Sequence, residues 1–321
     1  MNNTFLTTAI LGSLISSTSY AYTVYSTDES SLKVTGRIEA RFNVSDANKL
    51  SEDGNTEPNN SFDDISRIRG NIDGSTQVTD SIKVFGYYSG EIYSDSSDSK
   101  NRYMYVGVGT SYGAFSYGQQ DSSQVILTNV TDIMETFGGS ASDIITGNED
   151  ELENNFVYLA QLPLNMTATV NYVRDDSKGN YSAGGSMFYS APIGLQLGVG
   201  YVSGEQNNLD AEQYNITAAY TLGGVYIGGV YVNGEVDHTD VSGFEIATAY
   251  TVNDFIFRYV YNYRTSDFPA SQRGEYSVNY NAVEGVYNVT SDFVAYAGYE
   301  FNRLDGQAND DQFQAGARYM F

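Results

Sequence analysis

From Leu32 to the C-terminus the chain alternates apolar and polar residues with a period of two. The last stretch is the clearest. Phe313, Ala315, Ala317, Tyr319 and Phe321 interleave with Gln312, Gln314, Gly316, Arg318 and Met320. Phe255, Phe257, Tyr259, Tyr261 and Tyr263 interleave with Arg258, Asn262 and Arg264, and Phe293, Ala295, Ala297, Tyr299 and Phe301 with Tyr296, Glu300 and Asn302. Near the start, Leu32, Val34, Gly36, Ile38, Ala40 and Phe42 alternate with Lys33, Thr35, Arg37, Glu39 and Arg41. In an extended chain successive side chains point to opposite faces, so each stretch presents one apolar and one mostly polar face. Each runs about 10 residues, the length of a strand crossing a bilayer at a tilt.

Breakers separate these stretches. Pro163 and Pro192 sit in short joints, and Pro58 and Pro269 in longer polar runs, so the prolines avoid the strands, where each would remove a ladder donor. Short joints such as Thr221-Leu222-Gly223-Gly224 and Val252-Asn253-Asp254 alternate with acidic loops such as Asp46–Asn60 and Asp305–Asp310. About sixteen strands result, an even number with short turns at one end and longer loops at the other, as in an antiparallel transmembrane β-barrel. A soluble sandwich would hide its apolar face inside. Aromatic residues near strand ends and arginines in mid-strand (Arg37, Arg258, Arg318) favour the inverse, with apolar side chains toward lipid and charge around a water-filled lumen.

Residues 1–21 carry no charged side chain, hold an apolar run from Phe5 to Ile15 and end in Ser19-Tyr20-Ala21. They read as a secretory signal peptide, with the barrel domain at 22–321. Composition then narrows the function. With 16 Lys plus Arg against 40 Asp plus Glu, the net charge is −24, which opposes nucleic-acid binding. There is no cysteine, hence no disulfide framework or thiolate metal site, and His238 is the one histidine. It lies in the polar run Glu235–Asp240, read as an exposed loop, and offers no nucleophile–base pair, so an enzyme is not expected. No calcium-loop pattern is present, and no metal or cofactor is expected.

The longest segment without strand character is Asp121–Leu152, beyond ordinary loop length and therefore read as functional. Its apolar pieces, Val125-Ile126-Leu127, Ile133-Met134 and Ile144-Ile145, suit a loop folded against the inner wall. From Tyr103 to Val173 there is no Lys or Arg, while the loop itself supplies Asp121, Asp132, Glu135, Asp143, Glu149, Asp150 and Glu151.

Taken in order, Leu32–Phe42, Ser66–Gly70 (SRIRG), Tyr112–Gln119 (YGAFSYGQ), Phe137-Gly138-Gly139 and Ala315–Phe321 (AGARYMF) resemble the general porins of Gram-negative outer membranes, in particular their vibrio-type branch. The resemblance spans the mature chain. It implies a sixteen-stranded barrel, commonly a homotrimer in outer-membrane lipid, that passes small hydrophilic solutes and ions through a lumen narrowed by the long loop. By motif it implies constriction acids at Asp132 and Glu135, although the family's second acid directly precedes Phe-Gly-Gly, where this chain has Thr136. It implies constriction bases at Arg37, Arg67 and Arg102, and Asn148 stands where a fourth is usual. The plainer reading of Arg37 and Arg67 is solvation in the lumen or pairing with Glu39 and Asp64. The resemblance also implies that Phe321 serves as the signal by which the outer-membrane assembly machinery recognises the last strand. Opposed acids and bases across a narrow lumen set up a transverse field, and the loop's acidity predicts a preference for cations. Two other readings remain open at this point. A substrate-specific channel could use Phe85, Tyr87 and Tyr296 if they face inward, and a secreted β-rich adhesin would also explain signal peptide and strands.

Overall fold

The computed structural model describes residues 22–45, 61–94, 99–175, 180–268, 276–304 and 311–321. The predicted signal peptide, Pro58, Pro269 and the acidic loops 46–60 and 305–310 lie outside the described residues. Strands β1 (Tyr22–Ser26), β2 (Ser30–Ser45), β3 (Phe62–Asp64), β4 (Arg67–Thr79), β5 (Ile82–Tyr93), β6 (Ser99–Thr110) and β7 (Gly113–Gln120) precede the long loop. β8 (Leu152–Leu162), β9 (Met166–Asp175), β10 (Asn180–Ser190), β11 (Leu195–Gln206), β12 (Leu209–Leu222), β13 (Val225–Val236), β14 (Thr239–Val252), β15 (Phe255–Ser266), β16 (Val278–Asn288), β17 (Phe293–Asn302) and β18 (Gln312–Met320) follow it.

Each strand from β4 to β18 pairs antiparallel with the next, and β18 returns to β2, whose other edge holds β4. This closes a ring of 16 strands, the number read from the alternation. β1 and β3 are short additions, both paired to β2, that the sequence reading did not contain. Their five and three residues are too few for an alternation to register. Beyond Met320, Phe321 continues the ladder. Its N–H donates to Gly36 O at 3.0 Å and its carbonyl accepts from Gly36 N–H at 2.8 Å. β1 then lies along the next stretch of the same β2 edge, Tyr22 opposite Val34.

Burial alternates in the inverse sense to a soluble sandwich. On the outer face Val106 is 66% and Phe257 54% exposed, whereas inside Glu39 and Glu91 are 1% exposed. In water such an outer belt would forgo about 25 cal/mol for every Å² of apolar surface left uncovered, so it needs lipid. A closed ring leaves no unpaired backbone edge in that lipid. Outward rings stack in pairs, Phe255 with Tyr287 at 4.6 Å and Tyr201 with Tyr214 at 4.8 Å between centroids, in keeping with the aromatic girdles of such barrels.

The short turns fall together at one end, including Pro163–Asn165, Gly223-Gly224 and Asn253-Asp254. The opposite end is less uniform than expected. There β11 and β12 join through Asn207-Asn208, and β13 and β14 through Asp237-His238, each only two residues long. Their φ values are 52° and 63°, then 50° and 61°, the left-handed pair of a hairpin turn whose twist matches the strands. His238 therefore sits in a tight turn rather than a loop, with its ring 80% exposed and 3.1 Å from Glu235.

Candidate functional site

Between β7 and β8 the chain turns into the ring. The inserted segment is Asp121 to Glu151, one residue shorter than expected because Leu152 already belongs to β8. It leans across the inner faces of β10 to β17, and each apolar piece finds an apolar patch there. Leu127 and Val130 pack with Phe188 and Ala219. Ile133, Met134 and Phe137 pack with Ala247, Ala249, Val260 and Ala282. Ile144 and Ile145 pack with Val202, Val230 and Val232. The helical turn α1 (Val125–Thr128) approaches β11 closely because that face carries Gly198 and Gly200. A Cβ at Gly198 would stand 2.4 Å from Leu127 Cδ2, and one at Gly200 2.2 Å from Gln124 Oε1.

Loop backbone taken out of bulk water needs partners, and inward side chains of the wall supply them. Glu245 accepts from the N–H groups of Ala141 and Ser142, both at 2.8 Å, and from the Thr131 hydroxyl at 2.5 Å. Glu284 accepts from Glu135 N–H at 2.8 Å and Thr136 N–H at 2.9 Å. Gln213 accepts from Ile144 and Ile145 and donates to Ser142 O at 2.6 Å. Gln124, fully buried, donates to Gly185 O and Tyr201 O. None of these four residues carried a motif. Each is a polar residue on an inward strand or loop position whose purpose appears only when the loop is set against the wall.

The wall from β2 to β6 meets the loop through Arg41, Lys100, Arg102 and Tyr103, and between these contacts it carries an ion-pair ladder. The strand register sets Glu39 opposite Arg67, Arg37 opposite Arg69, and Arg69 opposite Glu91. Arg67 Nε lies 2.5 Å from Glu39, and Arg69 Nη2 2.6 Å from Glu91. Arg37 reaches Glu39 at 3.8 Å, and the Tyr296 hydroxyl donates to Glu39 at 2.7 Å. Where loop and ladder meet, Arg318 grips Glu135 through two bonds of 2.5 and 3.0 Å, with Arg258 at 3.5 Å. Arg41 donates to Thr136 O at 3.2 Å and to Gln314.

The candidates named from the sequence divide accordingly. Arg37 and Arg67 share the ladder, while Arg102 stands apart, paired with Glu151 at 2.6 Å at the loop's return. Glu135 turns to Arg318 and Arg258, not to Arg37 or Arg67 across open lumen. Burial works to raise its pKa, but the Arg318 bonds and the arginine charges prevail and hold it below the usual carboxylate value. Asp132 is exposed to the lumen, and among the described residues it has no ion pair. Enclosure deep in the barrel, followed by the charges of Glu245, Asp150, Glu135 and Glu284, raises its pKa to about 6. Asp143, also open to the lumen, is raised to about 7 by enclosure within the barrel and then by Glu245, against the bond that Asn148 donates at 2.7 Å. Asn148, in the position of the absent fourth base, is buried and pinned by Asn215 at 2.7 Å. Arg37 and Arg67 thus pair with Glu39, as their plainer reading expected, whereas Asp64 accepts from Ser66 and Ser94 instead, and only the register adds Arg69 and Glu91 to the same ladder.

A family model described as "Gram-negative porin" matches residues 7–319. Porin-like protein L of Photobacterium profundum is 34% identical, with all of both chains covered. Among solved structures, OmpF of Salmonella typhi in complex with daunomycin superposes with a TM-score of 0.77 at 16% identity, over 94% of this chain and 100% of that one. OmpT of Vibrio cholerae in its trimer form gives 0.71 at 17% identity, over 92% and 100%. At these identities the two structures speak for the fold.

Proposed function

Because the chain belongs to the Gram-negative porin family, we propose that its outer-membrane barrel conducts small hydrophilic solutes and ions by passive diffusion and prefers cations. One observation carries the preference. Arg37, Arg67, Arg69, Arg102, Arg258 and Arg318 each have a carboxylate within 4.0 Å, whereas Asp132 and Asp143 face the lumen with no ion pair among the described residues. Charges at a narrow waist act at short range and are screened less than those of the external loops, where the Debye length is about 8 Å at physiological salt. The test is the reversal potential of single channels under a KCl gradient. Cation preference is expected, reduced when Asp132→Asn is combined with Glu135→Gln; anion preference in the unmodified protein would refute the reading.

The same reading extends to assembly. A homotrimer is supported by the structurally similar OmpT in its trimer form. Heat-labile oligomer bands in detergent gels test it. Phe321, bonded to Gly36 at the seam, is the proposed recognition residue for the assembly machinery. Its deletion should lower outer-membrane yield, and unchanged assembly kinetics would count against that role.

A further inference from the structure

Four aromatic side chains face the lumen from β5 and β6, namely Phe85, Tyr87, Tyr103 and Tyr105. The register places Tyr87 opposite Tyr105, Ser89 opposite Tyr103, and Phe85 opposite Gly107. Centroid distances are 5.5 Å for Tyr87–Tyr105, 6.0 Å for Tyr87–Tyr103 and 6.4 Å for Phe85–Tyr105. Gly107 makes room for the first ring, since a Cβ there would stand 2.4 Å from Phe85 Cζ. At ~3.3 Å of rise per residue the row spans ~13 Å along the wall.

Elsewhere in the interior an inward aromatic has a packing duty. Phe188, Tyr226 and Tyr280 lie under the long loop. The β5–β6 rings belong to none of the interior apolar clusters and stay half-buried, with only the Tyr103 hydroxyl engaged by the loop, donating to Asp121 at 2.8 Å. The fold therefore leaves unused apolar surface where the channel is wet, and it does so as a continuous strip. Hydrogen-bonding groups of both kinds border that strip. Asp73 is opposite Tyr87 on β4, the Ser89 hydroxyl follows Tyr87 on its own face, and the Arg102 guanidinium lies 5.8 Å from the Tyr103 ring centre.

We propose that this strip is a carbohydrate subsite, a place where a neutral pyranose or short oligosaccharide slides along the wall during passage. A pyranose has a face of C–H groups that stacks on an aromatic ring and a rim of hydroxyls that both donate and accept. The strip matches both properties: rings for the face, and an acceptor carboxylate, a hydroxyl and a donor guanidinium for the rim. A charged aromatic solute would meet Asp73 and Arg102 together, one of them always repulsive. The subsite lies on the β2–β6 wall and adds to the porin reading without depending on the ion preference.

Maltotriose added to the full-length protein in a planar bilayer provides the test, with transient interruptions of KCl current as the readout. The wild type should show resolved interruptions. Tyr87→Ala with Tyr105→Ala should shorten them about tenfold, as the loss of ring stacking implies. Tyr87→Phe with Tyr105→Phe keeps the rings and should keep most of the residence time. Heat-modifiable migration and unblocked KCl conductance certify that each variant is folded. No interruption in the wild type, equal residence in the alanine pair, or equal loss in the phenylalanine pair would each overturn the proposal. So would interruption by p-nitrophenol with none by the sugar. Reversal potential in KCl alone reports the cation preference, so the two readings fail separately.

Discussion

The two halves of the lumen wall use the same strand geometry for different ends. From β10 to β17 the inward positions alternate small apolar residues with Gln213, Glu245 and Glu284, and the long loop consumes both kinds. From β2 to β6 the inward positions carry Arg37, Glu39, Arg67, Arg69, Glu91 and tyrosines, and these face water and one another. A barrel wall thus reads as core where something packs on it and as channel lining where nothing does. Charge type does not separate the halves, since glutamate occurs in both. What separates them is the loop: on one side its backbone N–H groups bond the glutamates, Glu284 sharing itself with Arg258, and on the other the glutamates have guanidinium groups and hydroxyls alone.

Removing the partner is the strongest way to break the contrast. Excising Val130 to Ser142 takes away the apolar anchors and the acceptor-bound amides together, leaving the β13–β16 wall without its cover. Single-channel conductance should rise severalfold and larger solutes should pass, as liposome swelling would report. Conductance equal to that of the intact protein would mean that the loop does not define the waist.

A single pair of substitutions sharpens the contrast. Glu245→Ala leaves the amides of Ala141 and Ser142 and the Thr131 hydroxyl without their acceptor, and each buried orphan costs about 1–3 kcal/mol. The loop should loosen, giving noisier and larger currents. Glu91→Ala on the other wall frees Arg69 instead, while Arg67 keeps Glu39. It should move the reversal potential toward anions while leaving the current noise unchanged. Identical phenotypes for the two would erase the distinction between loop anchor and ladder rung.

Much of this was legible in the sequence, for reasons that also explain what was not. The strands announce themselves because each has one face in lipid and one inward, as in Phe313 to Phe321. The loop's inward path was legible too, because Leu127, Ile133 and Ile144 have no place in a solvated loop. The partners were legible only in part. Glu39 could be named for Arg37 and Arg67, but Arg69 meets Glu91 through strand register and Glu135 meets Arg318 across 183 residues of chain, so no local spacing encodes those two contacts. The expected opposition of Glu135 to Arg37 and Arg67 gave way to direct pairing with Arg318 because the loop crosses to the β18 side of the ring. The two-residue turn at Asp237-His238 was hidden by its polar neighbours, which resemble an extended loop in composition.

The smallest effect expected is a change of ion preference with pH, and it separates the loop's own acids from one another. Glu135 is held below the usual carboxylate pKa by Arg318, so it stays charged throughout the accessible range. Asp132 and Asp143 are raised to about 6 and about 7, above the ordinary aspartate value of about 3.9. A raised acid takes up its proton earlier as pH falls. The charge that Asp132 and Asp143 contribute is therefore full above about pH 8, declines through 7 and 6, and is nearly gone by about pH 5. Reversal potential should follow, with cation preference weakening over that interval. Asp132→Asn with Asp143→Asn should give a lower and flatter profile. A wild-type preference that stays level from about pH 8 to about pH 5 would instead assign the selectivity to Glu135, held charged by Arg318 over that interval, rather than to Asp132 and Asp143.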